Sequence, residues 1–161
     1  MSILVACIGN IFQGDDAFGC EVANMLSRRA PRQNVRVVDF GIRSLDLTYA
    51  LLDSPELTIL VDAVSRGGQP GTLYTIDPDL DGLDATGQTL DGHTMDPVQV
   101  LKLAKSMGGR LGRILLVGCE PADLGGEDGR LGLTPPVDAA IAPAAALVES
   151  LIARELQEVL Q

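Results

Sequence analysis

Apolar and polar positions alternate along the chain in two periods. Residues 2 to 8 (SILVACI) are an almost unbroken apolar run, as in a strand buried on both faces. From 17 to 29, Phe18, Val22, Met25 and Leu26 recur at helical spacing, with Arg28 and Arg29 placed in the last turn, where cations suit the dipole. The same succession returns in VRVVDF (35 to 40), a helix from Ser44 to Asp53, and LTILVDA (57 to 63). Strands separated by helices of this length predict right-handed crossovers and a mostly parallel sheet. The connector SRGGQPG (65 to 71) is too short for a crossover, so the strand after it, TLYTI, is expected to run antiparallel as a hairpin partner. A polar loop without periodicity (77 to 97) follows, then a helix from Pro97 to Met107 and a last strand, RILLVG (113 to 118). Thr134 is expected to cap the C-terminal helix, with Pro135 in its first turn and Pro143 kinking or restarting it. The predicted fold is α/β: a three-layer α/β/α sandwich around a mostly parallel five-stranded sheet containing one antiparallel strand.

Composition narrows the class. At 161 residues and 46% apolar, the chain suits one domain with a real core, spanning 1–161. A formal charge of -10, with 12 basic residues scattered among 22 acidic ones, argues against nucleic acid and for a cationic partner. MSILVACIGN lacks a basic leader, and no segment reaches about 18 uninterrupted apolar residues, so neither a signal peptide nor a membrane span is expected. Cys7, Cys20 and Cys119 lack CxxC spacing and read as small buried hydrophobes in a reducing cytoplasm.

Candidate chemistry gathers where strands end. In an open α/β sheet, ligands bind beyond the carboxyl ends of the strands. Those ends carry Gly9-Asn10, Asp39, Asp62 and Gly118-Cys119-Glu120, and the first loop adds Asp15 and Asp16. The chain must climb back to this edge before the Pro97 helix descends, which brings the only histidine, His93, beside Asp62 and the Asp15-Asp16 pair. Either adjacent aspartate could simply cap the first helix. Asp39 also fits an ordinary turn with Gly41 and Ser44, whereas Asp62 ends a buried strand, where a carboxylate must be paired, capped or coordinated. Two carboxylates and one imidazole make a three-ligand site for a borderline divalent metal, zinc or nickel rather than calcium.

Three sharper-looking signals fail. DPDLDG (77 to 82) begins like an EF-hand loop, but its twelfth position is Gln88 and it follows a strand. The first loop matches neither GxGxxG nor GxxxxGK[ST], and two aspartates there would repel a phosphate. No GxSxG elbow exists, and Cys20 lies among apolar neighbours.

The chain resembles the [NiFe]-hydrogenase maturation endopeptidases in the pieces ILVACIGNIFQGDDAFG (3 to 19), VVDFG (37 to 41), LVDAV (60 to 64), PGTLY (70 to 74), GH (92 to 93), LLVGCEP (115 to 121) and GLTPPVDAAI (132 to 141). Their order and spacing cover almost its whole length. The resemblance implies a mixed five-stranded sheet between helices and removal of a C-terminal extension from the hydrogenase large-subunit precursor after nickel insertion. It assigns metal contact to Asp16, Asp62 and His93 and leaves Asp15 as the better cap. Asp16 stands where many relatives have glutamate, and DFGIRSLDL departs from the Gly-Gly-Thr-like run common after the second strand.

On this reading nickel arrives with the precursor, zinc or cadmium could occupy the same ligands, and Asp16, Asp39 and Asp62 are the catalytic candidates. The enzyme is expected to be a cytoplasmic monomer. Two alternatives share these features: a nickel-binding accessory protein that docks on the precursor without cutting it, and a peptidase of the same architecture with another substrate.

Overall fold

The computed structural model describes residues 1–79 and 95–161. Five strands, β1 (Ile3–Ile8), β2 (Val35–Gly41), β3 (Leu57–Ala63), β4 (Leu73–Ile76) and β5 (Arg113–Cys119), form one sheet in the order β2-β1-β3-β5-β4. All neighbours are parallel except β4 and β5. Helices α1 (Phe18–Ser27) and α5 (Ile141–Val159) cover one face, and α2 (Ser44–Leu52) and α3 (Pro97–Ser106) the other, so the three-layer sandwich stands. β1 and β3 are buried along nearly their whole length, which is why their sequences show no alternation.

The antiparallel strand differs from expectation in its partner. β4 pairs with β5 rather than with β3. β5, buried at Ile114, Leu115, Val117 and Cys119, needs a neighbour on each side, whereas the half-buried β4 suits an edge. The connector steps over the end of β5 and is pinned there: Val64 N–H donates to the Cys119 carbonyl at 2.9 Å, and Gly71 N–H to the Glu120 carbonyl at 2.8 Å. The buried Glu120 carboxylate accepts from the Arg66 and Gly68 amides.

α1 ends before Arg28 and Arg29, and Arg29 instead pairs with Glu149 on α5 at 2.8 Å. Gly19 lets α1 lie close on the sheet: a Cβ there would sit 2.1 Å from the Ile8 carbonyl oxygen and 2.6 Å from that of Val61. The C-terminal helix restarts as expected, with a short α4 (Pro135–Asp138) preceding α5, whose third residue is Pro143. Thr134 precedes α4 but makes no side-chain cap. By length and composition Pro135–Val159 could cross a membrane; here Ala144, Val148, Leu151 and Ile152 pack into the core.

Candidate functional site

Beyond the carboxyl ends of β1 and β3, the loop after β1 folds back against its own start. Asn10 Oδ1 accepts from Phe12 N–H at 2.9 Å, and Asp16 Oδ2 accepts from Asn10 N–H at 3.0 Å. Between them a 3-10 turn, Gly14–Ala17, carries both aspartates into α1. The turn lies so close to the strand end that a Cβ on Gly9 would sit 2.1 Å from the Asp16 carbonyl oxygen. Only glycine fits there without displacing Asp16.

The two adjacent aspartates have different surroundings. Asp15 is fully buried and is not the helix cap. Its Oδ1 accepts from Thr134 N–H at 2.7 Å, its Oδ2 from the Ala122 and Asp123 amides at 2.8 and 3.0 Å, and the Thr134 hydroxyl donates to both oxygens. Burial alone would push its carboxyl up; the Thr134, Asp123 and Ala122 bonds outweigh that and hold it below the usual aspartate value. This explains why Thr134 caps nothing: its hydroxyl is taken by Asp15. The tie continues where Arg130 N–H donates to the Phe12 carbonyl and Gly14 N–H to that of Arg130, both at 2.9 Å.

Asp16 is half-buried and directs Oδ2 at its own loop, leaving Oδ1 without a hydrogen bond among the described residues. Burial raises its carboxyl, partly offset by the Asn10 amide. Asp62, the penultimate residue of β3, is raised well above its ordinary value by burial, then by the Asp16 charge, against the Ala63 amide, with Asp96 adding to the rise. Two raised carboxylates, one of them lifted by the charge of the other, are a poor arrangement by themselves and a good one around a cation.

Asp96 is the residue the sequence reading missed. It caps α3, its side chain accepting from Val98 N–H at 2.9 Å, and the Asp-Pro step at 96–97 was the available signal. Asp39 is exposed, and its Oδ1 accepts from Gly41 N–H at 3.0 Å, as in the turn reading. It is also near Cys20: burial pushes that thiol up to about 12, with Asp39 and then Asp16 adding to the rise. The three cysteines are buried and unpaired and, held protonated, are poor nucleophiles and ligands. His93 and the second half of the acidic turn 77–82 lie outside the described residues. Among the described residues, no three His, Cys, Asp or Glu side chains form a group that could hold a metal.

Comparison with known proteins supplies the family. The family model described as "Hydrogenase maturation protease" matches residues 20–151. A hydrogenase expression/formation protein, HupD, of Bradyrhizobium diazoefficiens is 34% identical over 152 residues, covering 94% of this chain and 78% of that one. The hydrogenase 2 maturation protease of Escherichia coli is 31% identical over 146 residues, covering 89% and 86%. The structure of the hydrogenase maturating endopeptidase HybD from E. coli superposes with a TM-score of 0.80 at 29% identity, covering 96% of this chain and 94% of that one. The chain belongs to the hydrogenase maturation protease family and is a peptidase.

Proposed function

We infer that this peptidase removes the C-terminal extension of a [NiFe]-hydrogenase large-subunit precursor once nickel has been inserted, and that Asp16, Asp62 and His93 recognise the inserted metal. The observation that carries this is the Asp16–Asp62 pair: one carboxylate in the turn after β1 and one at the end of β3, both raised by burial and Asp62 further by the charge of Asp16. A divalent cation relieves that repulsion and the desolvation of Asp62 together, and Oδ1 of Asp16, which has no hydrogen bond among the described residues, is available to it. Asp96, which caps α3 three residues after His93 in the chain, acts electrostatically on Asp62, so the start of α3 lies at this edge.

The metal is cargo of the substrate and would polarise the scissile amide when the precursor docks; zinc or cadmium could take its place in the free enzyme. Asp16 or Asp39 would orient and deprotonate an attacking water. Around the carboxylates, exposed Ile11, Phe12, Ile42, Leu45 and Leu131 give the edge the apolar rim of a surface that meets a protein. The test is to incubate the enzyme with nickel-loaded and nickel-free precursor and weigh the products. Shortening of the loaded form alone supports the reading; equal shortening of both removes the metal from recognition, and binding without shortening assigns an accessory role.

A further inference from the structure

One sheet edge is open. β2 pairs only with β1 among the described residues, and its outer half, including Val37 at 37% exposure, faces solvent. The Ile3 amide donates to the Asn34 carbonyl, so by strand alternation Arg36 and Val38 direct their backbone groups at β1, and Val35, Val37 and Asp39 direct theirs outward. Two local bonds agree with this: Arg43 donates to the outward Asp39 carbonyl, and the Val35 amide donates to the Arg32 carbonyl. Among the described residues, both backbone groups of Val37 and the Asp39 amide have no partner.

A cavity flanks this edge on each face of the sheet. One of about 260 Å³ lies against the end of α2 and the amino ends of β1 and β2, lined by Ile3, Val35, Arg36, Ala50, Asp53 and Pro55. The other, of about 290 Å³, lies against α1 and α5, lined by Leu26, Arg32, Val37 and Ile152. An added strand places successive side chains on opposite faces, so paired cavities are what it requires.

Charge selects the occupant. Arg28, Arg29, Arg32, Arg36 and Arg43 are five of the chain's 12 basic residues, and residues 28–43 hold one acidic residue, Asp39. Glu149 pairs with Arg29 and Asp46 with Arg43, while Arg28, Arg32 and Arg36 have no ion-pair partner among the described residues. A second copy would oppose one arginine-rich edge to another. We propose that the outer edge of β2 docks an extended, carboxylate-bearing segment of the precursor as an added strand, leading it toward Asp39 and Asp16. This rests on the precursor being the substrate.

The test follows nickel-loaded precursor with three forms of the enzyme. In wild type, precursor binding slows hydrogen exchange at the Val37 and Asp39 amides. Val37→Pro removes an outward amide without touching the ladder to β1, so its melting temperature stays close to wild type while KM rises about tenfold and kcat is kept. Arg36→Glu, at an exposed position, raises KM similarly and weakens its dependence on salt. Unchanged KM in both variants, with no added protection at Val37, overturns the proposal. Binding with that protection but no cleavage keeps the docking edge and defeats the proposed function; a precursor neither bound nor cut defeats both.

Discussion

Asp15 holds Thr134, 119 residues away in the chain, through both its amide and its hydroxyl. With the Ala122 and Asp123 amides on the same carboxylate, this one side chain ties the first loop to the segment that leads into the C-terminal helices. Asp15→Ala leaves these donors buried and unpaired and is expected to lower stability by about 3 kcal/mol. Urea unfolding measures it, and a loss below about 1 kcal/mol would show that water replaces the carboxylate.

The same residue sets an acid limb. Its folded carboxyl lies below the ordinary value of about 3.9, so its contribution is present above that pH and is lost as pH falls through the lowered value. In Asp15→Asn the acid-side decline should be shallower than in wild type. Parallel acid limbs in the two proteins would contradict the assignment.

Asp62 has the opposite sign. Its folded carboxyl is raised, so its own contribution to stability is fully present below the ordinary aspartate value and is lost as pH rises through the raised one. Asp62→Asn removes the buried charge and should raise the neutral-pH melting temperature of the metal-free enzyme by about 3 °C while abolishing processing. A variant that is both less stable and fully active would place Asp62 in the core alone.

Gly9→Ala introduces a methyl against the Asp16 carbonyl oxygen. The turn must shift, at about 2 kcal/mol, and Asp16 shifts with it. Processing should fall more than stability accounts for when measured well below the melting temperature; activity that simply follows the folded fraction would show that the placement of Asp16 is not critical.

His93→Ala should prevent cleavage of loaded precursor, measured as loss of the shortened product. Normal processing by this variant would take the histidine out of the recognition trio.

The sequence by itself determined the succession of strands and helices, because apolar period is a local property written into each segment: SILVACI and LTILVDA are mostly apolar and do not alternate because β1 and β3 are buried on both faces. It also carried Asp16, Asp39 and Asp62 to one edge, since chain direction in a parallel sheet dictates which strand ends share a side. Only the tertiary structure decided what depends on partners distant in the chain. It inserted β5 between β3 and β4, a choice between two pairings that both satisfy an antiparallel strand. It turned Asp15 from an apparent cap into a clamp and took Thr134 from its helix, because hydrogen bonds spanning 107 to 119 residues leave no periodic trace. It set Asp62 under the influence of Asp16 and Asp96, because electrostatic coupling depends on separation and burial, which the order of residues does not state.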